Sequence, residues 1–519
     1  MALAAPSRAR HPGGGGGWGA ATVAAAAVVV IPLLVLPLSF LRPSDAWGRV
    51  AAELLPEALR NSLVLALGVA AGTLVLGTAL AILVSFYDFP LRRTLEWALV
   101  LPLAMPGYVL TFVLLGQFGT TLPQMRSTLG AITILTLVLY PYVYLLGRAA
   151  FVGQSRGLLE AARSLGHSQL GAIRRVALPL ARPALAAGTA LAVMEALADF
   201  GTVNLLNYRA LTDAIYRVWY GAFDRTAALQ LGAVLLGLVL LLLALEQVTR
   251  RGRSVEQRGG RGDEVPRRRL RGVPAVMAAA LPVLLLLVVL GGPLIQLVAW
   301  SVASVANGTY DATLLSDARN SLLLAFLAAV ATVGLALVVV YGVRLRPTRL
   351  RRGAARGAAL GYAVPGSVAA AAVFLVADRA GDAAGLVLTG TLLALVLAYV
   401  VRFTALALQT VEARMAAIPS ALDAAARSLG ATRGRVLGEI HVPLLAPAVA
   451  TAVLLVFVEV LKELPATVLL RPFGIDTLAI AVWEATKESL YETAAFPALC
   501  IVAVGVLPVI VLVRLSDRR

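Results

Sequence analysis

Long apolar runs recur along the whole chain, and they constrain its fold more than any other feature. Runs of about 18 or more residues suit membrane-spanning helices, and they occur at Ala20–Leu41, Ser62–Ser85, Leu129–Leu146, Leu229–Leu245, Val273–Leu290, Ser321–Val340, Leu386–Val401 with its flanks, and Ala494–Val513. A helix of about 20 residues crosses a hydrocarbon core of about 30 Å and satisfies its own backbone hydrogen bonds there. Hydropathy predicts roughly twelve spans, six on each side of an arginine-rich centre. The predicted fold class is an all-α polytopic membrane protein.

The composition excludes a soluble domain, because 60% of the 519 residues are hydrophobic and only 14% are charged. A net charge of +17 suggests nucleic-acid binding at first sight. However, the arginines cluster in short segments between apolar runs, at Arg250–Arg271, Arg344–Arg356 and Arg514–Arg519, whereas Asp311–Asp317 and Glu484–Glu492 are acidic or mixed. This alternation is the positive-inside bias and places the basic loops in the cytoplasm. It predicts a multi-pass membrane protein with both termini cytoplasmic, and no nucleic-acid partner.

Few residues are available for catalysis, metal binding or a cofactor. Cys500 is the only cysteine, and the three histidines are not at ligand spacing: His11, His167 and His441. No GxxxxGK[ST] stretch occurs, and neither Lys462 nor Lys487 follows a glycine-rich loop. No catalytic triad or dinucleotide fingerprint is present. The chain is therefore predicted to have no catalytic residue, no metal site and no cofactor, and any energy from ATP must come from a partner.

The six residues AARSLG occur twice, at Ala161–Gly166 and Ala425–Gly430, 264 positions apart (425 − 161). Other landmarks pair at offsets of 259 or 264: Arg60–Leu63 with Arg319–Leu322, Met105–Gly107 with Val364–Gly366, Pro179 with Pro443, Pro183 with Pro447, Glu195 with Glu459, Asp199 with Glu463, and Trp219 with Trp483. Biased composition does not place prolines, acids and a tryptophan in the same order. We infer a tandem duplication: a flexible basic tail at 1–19, transmembrane domains at 20–249 and 273–519, and a basic cytoplasmic linker at 250–272.

An even number of spans in each repeat makes the repeats parallel, related by an axis along the membrane normal. Such a pair encloses its pathway at the interface between the repeats. Asn61 and Asn320 each stand at the start of an apolar run, and we expect them to be helix N-caps. The apolar run after the N-terminal tail is predicted to be a retained signal anchor.

Each AARSLG copy lies between the predicted fourth and fifth spans of its repeat, on the predicted cytoplasmic side. The pattern predicts a short helix, a glycine that ends it, and a second amphipathic helix that stops before a proline. Four alanines would present a thin docking surface to another protein: Ala161, Ala162, Ala425 and Ala426. Gly166 and Gly430 would adopt the left-handed conformation, and Pro179 and Pro443 would mark the turn back toward the membrane. An inert surface hairpin is the alternative.

This segment resembles the EAA loop of ABC-importer permeases. The first copy matches the motif at Glu160, Ala161, Ala162, Gly166, Leu178 and Pro179; the second matches it at Ala425, Ala426, Gly430, Ile440 and Pro443. The second copy departs from the motif, with Ala424 in place of the glutamate, Val442 in place of the leucine, and Asp423 one place early. The resemblance implies that each loop is a coupling helix that docks on a cytoplasmic ATPase subunit.

Further stretches are similar to fused two-domain permeases of ferric-iron importers: Glu195–Val203, Ala214–Trp219, Lys462–Thr467 and Leu470–Thr477. Fused thiamine permeases share this architecture. The resemblance implies the type I importer permease fold, two ABC ATPase subunits as partners, and an extracytoplasmic substrate-binding protein or lipoprotein. An ion-coupled secondary transporter is the alternative from another class. A membrane enzyme ranks last, because no constellation of catalytic residues is present.

Four acids are predicted inside the membrane. Glu195 and Asp199 are expected one turn apart on one face of the fifth span, and Glu459 and Glu463 repeat that spacing in the eleventh, beside Lys462. A carboxylate at the bilayer centre costs about 2.5–3.5 kcal/mol, so these side chains should face protein or a water-filled cavity. They are either an oxygen lining that a ferric ion tolerates in transit, or buried hydrogen bonds and a Lys462 ion pair that order the helices.

Overall fold

The structure is a computed structural model and describes residues 16–154, 156–250, 267–309 and 311–517. Most of the predicted N-terminal tail and of the predicted linker therefore lies outside the described residues. The chain is almost entirely helical. Helices that are apolar on every side suit a bilayer, because a helix satisfies its own backbone hydrogen bonds where no water can.

Twelve α-helices and one short strand make up the first half. They are α1 (Gly16–Val35), α2 (Trp47–Arg49), α3 (Leu55–Phe86), β1 (Tyr87–Asp88), α4 (Arg92–Ala98), α5 (Gly107–Phe118), α6 (Thr128–Val152), α7 (Arg156–Ser164), α8 (Gln169–Ala172), α9 (Leu178–Ala198), α10 (Gly201–Leu205), α11 (Leu211–Tyr216) and α12 (Arg225–Arg250). Single 3-10 turns cover Leu36–Leu41, Leu101–Ala104 and Pro123–Met125, and π-helical turns cover Val50–Leu54, Ile173–Ala177 and Arg217–Gly221.

The second half also has twelve α-helices and one short strand, but its strand comes before the first helix. It contains β2 (Arg268–Arg269), α13 (Val273–Leu286), α14 (Gly292–Asn307), α15 (Leu314–Leu345), α16 (Arg349–Ala359), α17 (Gly366–Ala384), α18 (Leu392–Ala416), α19 (Ser420–Ser428), α20 (Arg433–Val436), α21 (Val442–Leu461), α22 (Pro465–Leu470), α23 (Leu478–Lys487) and α24 (Tyr491–Asp517). Its 3-10 turn covers Leu360–Ala363, and its π-helical turns cover Leu287–Gly291 and Leu437–His441. β1 and β2 pair in parallel over two residues each.

The helix bounds follow the offsets found in the sequence. Both ends of α3 and α15 are related by the offset that separates Arg60 from Arg319. Both ends of α6, α7 and α8 are related to those of α18, α19 and α20 by the offset between the two AARSLG copies. The register changes again at α11 and α23, because Leu211 and Leu478 are separated by a still larger offset. The two tryptophans paired by sequence, Trp219 and Trp483, are therefore not structural equivalents.

Within the described residues, nine helices are long and apolar enough to span a membrane. The number is ten if the bent pair Arg92–Ala104 and Gly107–Phe118, which meet at 89°, is one broken span. The sequence predicts roughly twelve. The remaining candidates are α17, which carries three charged residues in its last two turns, and α24, whose described apolar part is only Tyr491–Leu507. The chain is a multi-pass α-helical membrane protein, as predicted.

The chain forms two compact units that differ from the two repeats. The larger unit comprises 32–328, 363–399 and 457–519, and the smaller comprises residues up to 31, 329–362 and 400–456. In the larger unit α3, α6 and α9 pack against one another, and α14 and α23 pack against α24. Its core is aliphatic and aromatic, with Tyr140, Tyr144 and Phe112 fully buried.

Asn61 and Asn320 lie inside α3 and α15, so the prediction that they are N-caps is wrong. The Asn61 amide donates a hydrogen bond to the carbonyl of Arg209 at 3.1 Å, and the Asn320 amide donates to the carbonyl of Asp476 at 3.1 Å. The next residues act similarly, because Ser62 and Ser321 accept from the backbone N–H of Leu211 and Leu478. The repeated Asn-Ser pair thus holds the loop that precedes α11 or α23.

Candidate functional site

The first AARSLG copy forms a helix, a glycine turn and a second helix, which we call the first hairpin (Arg156–Ala177). Gly166 has φ +88°, in the left-handed region as predicted. Its N–H donates to the carbonyl of Arg163 at 2.9 Å, and the N–H of His167 donates to the carbonyl of Ala162 at 3.2 Å. This bonding satisfies the last carbonyls of α7 and ends the helix. The Ser168 hydroxyl then caps α8 by accepting from the N–H of Gly171 at 3.1 Å.

The two faces of α7 differ in exposure. Leu159 and Ala162 are buried in the core cluster that contains Phe151 and Ile173. Ala161 is exposed, as are Leu158 and Leu165, whose exposed fractions are 51% and 80%. The expectation that both alanines face a partner is therefore wrong for Ala162. Its small side chain packs against the chain's own core. Glu160 lies on the exposed side of α7.

The second hairpin (Ser420–His441) repeats this backbone. Gly430 has φ +80°, and its N–H donates to the carbonyl of Arg427 at 3.1 Å, while the N–H of Ala431 donates to that of Ala426 at 3.0 Å. Ala425 is exposed and Ala426 is half-buried. Leu422 and Leu429 are 41% and 88% exposed, and they are the equivalents of Leu158 and Leu165 when the two AARSLG copies are aligned. Each hairpin thus presents the same pair of exposed leucines.

Asp423 fixes the second hairpin to its neighbours. Its carboxylate accepts from Arg344 Nε at 3.0 Å and from His441 Nε2 at 2.8 Å. Arg344 also donates to the carbonyl of Ile418 at 2.9 Å, so it bridges the last turn of α15 to the start of the hairpin. Burial alone would raise the pKa of Asp423, but the hydrogen bonds from Arg344 and His441 outweigh burial and hold that pKa below its ordinary value of 3.8. Asp423 is thus a structural anchor of α19.

Pro179 and Pro443 do not end a helix, contrary to the prediction. Gln169–Ala198 and Gly434–Leu461 are each one continuous helix that includes the proline. A π-helical turn precedes each proline, with the N–H of Leu178 bonded to the carbonyl of Ile173 and the N–H of Val442 bonded to that of Leu437. A proline lacks an N–H and its ring crowds the preceding turn. The wider turn accommodates the ring, so the hairpin continues directly into the membrane helix.

The two membrane helices that follow the hairpins both break at an acid. α9 ends at Ala198, and Asp199 is extended, with ψ 126°; α21 ends at Leu461, two residues before Glu463. The expectation that Glu195 and Asp199 share one helix face, repeated by Glu459 and Glu463, is therefore wrong. Asp199 accepts from the hydroxyl of Thr202 at 3.0 Å and the N–H of Val203 at 3.2 Å. Glu463 accepts from the N–H of Ala466 at 3.0 Å. Each acid caps the short helix that follows.

The two breaks lie against each other in the larger unit. A Cβ atom on Gly201 would lie 2.6 Å from Tyr108 Cβ and 3.0 Å from Leu464 Cδ2. A Cβ atom on Gly107 would lie 2.6 Å from the hydroxyl of Thr202. Only glycine permits these approaches, so the start of α5 and both breaks form one crowded crossing, which we call the central crossing.

The remaining acids have more exposed surroundings. Glu459 forms an ion pair with Lys462 at 2.8 Å, and their side chains are 36% and 22% exposed. Glu195 is half-buried. Within the described residues, no group of three or more His, Cys, Asp or Glu side chains could hold a metal ion. The contacts of Asp199, Glu459 and Glu463 are the hydrogen bonds and the Lys462 ion pair expected if these acids order the helices.

One further contact near the central crossing was not predicted. Trp483 Nε1 donates to Asn204 Oδ1 at 3.0 Å, and Asn204 donates to the fully buried Asp213 at 2.8 Å. Lys487 Nζ lies 4.5 Å from the centre of the Trp483 ring. This contact joins the two repeats. The recurrence of a tryptophan is visible in the sequence, but its partner is not.

The family model described as "Binding-protein-dependent transport system inner membrane component" matches residues 73–252 and 322–519. The chain belongs to this family and contains its domain twice, which confirms the resemblance to ABC-importer permeases. The match includes both hairpins and both broken helices.

Individual relatives differ in how much of the chain they match. The Fe(3+)-transport system permease protein FbpB 2 of Haemophilus influenzae is 29% identical over 466 residues, 89% of this chain and 90% of the relative. A probable molybdenum ABC transporter permease protein of Haloferax volcanii is 32% identical over 39% of this chain and 80% of the relative. The sulfate transport system permease protein CysT of Salmonella typhimurium is 29% identical over 46% of this chain and 94% of the relative. The last two relatives correspond to about one repeat.

Proposed function

We propose that this chain is the permease subunit of an ATP-driven ABC importer, with its two transmembrane domains at 20–249 and 273–519 in one polypeptide, and that it carries ferric iron. The observation that carries the iron assignment is the similarity over 89% of the chain to a permease named for Fe(3+) transport. The relatives named for molybdenum and sulfate match less than half of it. A fused thiamine permease is the alternative from the same class.

Two ATPase subunits dock at the hairpins and supply the energy. The support is the repeated exposure of leucines: Leu158 and Leu165 in the first hairpin, Leu422 and Leu429 in the second. Exposed leucines on short polar helices are suited to protein contact, because burying a leucine side chain stabilises a complex by about 1.5–3 kcal/mol. Since each hairpin continues into α9 or α21, a movement of the hairpin is transmitted directly to a membrane helix and to the central crossing.

The hairpins lie on the cytoplasmic side, together with both chain termini. The support is the arginine distribution, because the predicted linker and the segment Arg344–Arg356 are basic and are separated by acidic or mixed segments. An extracytoplasmic binding protein delivers the substrate to the opposite side. The permease domains then alternate their opening as the ATPases close on ATP.

Ferric iron passes the central crossing as cargo. Carboxylates are hard oxygen ligands that tolerate a ferric ion, and they repel oxyanions such as molybdate or sulfate. Asp199 and Glu463 already accept hydrogen bonds from their own chain, and Glu459 is paired with Lys462. Such occupied carboxylates attract a cation without binding it tightly, which suits passage, since a tight site would impede release.

The test is uptake of radiolabelled ferric iron into proteoliposomes that contain the chain, its ATPase subunits and its binding protein. ATP-dependent uptake that excess thiamine, molybdate and sulfate fail to inhibit is the expected result. Uptake that persists without ATP under a proton or sodium gradient would instead establish a secondary transporter. In the same assay Glu195→Gln with Glu459→Gln tests the acids, because normal uptake at normal expression would remove both from the pathway.

A further inference from the structure

A cavity of about 380 Å³ with a mixed apolar and charged lining lies between the end of α15, the helix α16 and the end of α18, all within the smaller unit. Its charged lining consists of Arg344, Arg352, Arg356 and Glu412, and Ala355 lies among them. Arg352 and Arg356 are exposed. Among the residues that the structure describes, neither arginine has a carboxylate within ion-pair distance. The volume is within the range of about 300–1,000 Å³ that is typical of ligand pockets.

The helices that form this cavity determine where it lies across the membrane. Arg344 is in the last turn of α15, a 32-residue apolar helix, and Ala416 is the last residue of the 25-residue α18. Both helices are long enough to cross the hydrocarbon core, so their ends lie at the level of the lipid headgroups. α16 lies beside them with arginines on one side, and Leu350 and Leu360 at its two ends are 69% and 41% exposed. This arrangement is typical of an amphipathic helix in the membrane interface.

The equivalent place in the first repeat contains its own counter-charge. Glu96 on α4 forms ion pairs with both Arg92, at 2.8 Å, and Arg148. When the repeats are aligned at the two offsets of the duplication, Glu96 corresponds to Ala355 and Arg148 to Glu412. The ion pairs of Glu96 therefore have no equivalent in the second repeat, because Arg92 corresponds to the buried Arg351 and Arg148 to an acid. The exposed Arg352 and Arg356 flank Ala355, so no carboxylate stands at the Glu96 position beside them. An anion from outside the chain can take that place.

We propose that this cavity binds the phosphate of an anionic phospholipid headgroup. Arg352 and Arg356 provide the planar forks of N–H donors that suit phosphate oxygens. Arg344 lies deeper and is already held by Asp423 and the carbonyl of Ile418. Glu412 excludes a purely anionic ligand from its side of the cavity, but its carboxylate can accept a hydrogen bond from a headgroup hydroxyl. A phosphatidylglycerol headgroup, with one phosphate and free hydroxyls, satisfies both sides.

The experiment measures binding of fluorescent phosphatidylglycerol to the purified full-length chain in detergent, with phosphatidylcholine and inorganic phosphate as competitors. Phosphatidylglycerol should displace the probe, whereas phosphatidylcholine and inorganic phosphate should not. Arg352→Gln should weaken binding about fivefold, because an arginine near an anionic surface contributes about 1 kcal/mol. The matched control is Arg93→Gln, the equivalent exposed arginine of the first repeat, which should leave binding unchanged. Ala355→Glu installs the carboxylate of the first repeat and should abolish binding.

Equal effects of Arg352→Gln and Arg93→Gln would show general charge attraction and overturn the proposal. Displacement by inorganic phosphate would overturn the lipid assignment in favour of a soluble phosphate ligand, and equal displacement by phosphatidylcholine would overturn any role for net charge. The thermal unfolding of each variant serves as the folding control, and Arg352→Gln decides the question if Ala355→Glu fails to fold. The assay needs neither ATP nor iron, so its outcome is independent of the proposed transport function.

Discussion

The two hairpins have the same backbone but are fixed to their surroundings by different chemistry. At three equivalent positions the first repeat has Leu159, Ala177 and Ser85, and the second has Asp423, His441 and Arg344. The three residues of the first repeat are buried. In the second repeat the corresponding residues form a carboxylate that accepts hydrogen bonds from an arginine and a histidine. Because Leu159 and Ala177 belong to one buried apolar cluster, apolar packing in one repeat corresponds to an ionic contact in the other.

This difference shows that the residues that determine the backbone of the hairpin are not the residues that anchor it to its neighbours. The glycine turn and the π-helical turn recur in both copies, as does the capping hydroxyl, Ser168 in the first hairpin and Thr432 in the second. These features dictate the backbone locally. The anchor differs between the copies, and we expect it to be interchangeable, because a buried ion pair and a packed apolar contact of similar volume often give similar stability. The ionic anchor is nevertheless the more vulnerable of the two, since removal of one partner leaves the others without a counter-charge.

The largest effect is expected from Asp423→Leu, which places the residue of the first repeat in the second hairpin. His441 is 1% exposed and Arg344 is 17% exposed, so the variant leaves one buried and one largely buried donor without a carboxylate. We expect a loss of about 3 kcal/mol in the stability of the hairpin region, at the low end of the range for breaking a buried pair. Hydrogen exchange of the amides of α19 in detergent measures it.

The control transfers all three residues of the first repeat, as Arg344→Ser with Asp423→Leu and His441→Ala. Because no unpaired charge remains, most of the lost protection should return. If the triple variant is as unprotected as Asp423→Leu alone, the ionic anchor is indispensable, and the two repeats are not interchangeable at this contact.

Much of the fold can be predicted from the sequence, because its determinants are local or repeated. Apolar runs predict membrane helices wherever they occur, and the turns at Gly166 and Gly430 follow from the helix-ending role of glycine. Long-range partners cannot be predicted in this way. Asn61 stands where a helix cap is expected, but it bonds a carbonyl 148 residues away. The helix break at Asp199 is not visible in the sequence, because a capping carboxylate competes with helix continuation only when the next residues turn toward it.

One feature of the sequence indicates the ionic anchor. Asp423 stands one place before the motif position, and this departure is visible, but Arg344 lies 79 residues away and nothing in the sequence marks it as the partner. A position-by-position comparison of the two repeats can identify such partners. Residues that change together from small or apolar to ionisable at equivalent positions are candidates for a contact. The same comparison aligns Ala355 of the second repeat with Glu96 of the first.

The next effect concerns the exposed leucines, which are the same in both hairpins. Leu165→Asp and Leu429→Asp should each weaken binding of the ATPase subunits about 30-fold, the loss expected when the burial of one leucine side chain, about 2 kcal/mol, is removed. Surface changes alter stability by no more than about 0.5 kcal/mol, so both variants should fold normally. Co-purification of the ATPase and the ATPase rate measure the effect. A defect in Leu165→Asp alone would show that only the first hairpin, which keeps the motif glutamate, binds its ATPase strongly.

The smallest effect is the pH dependence of the ionic anchor. The pKa of Asp423 is below its ordinary value of 3.8 in the folded chain, so the ionised carboxylate stabilises the fold. This contribution is fully present above that ordinary value and disappears as the pH falls through the lower folded value. The wild-type chain and the triple variant should therefore keep a constant difference in Tm between pH 7 and about pH 5, and diverge only in stronger acid. A difference that changes between pH 7 and about pH 5 would show that the Asp423 carboxylate does not control the pH dependence of the anchor.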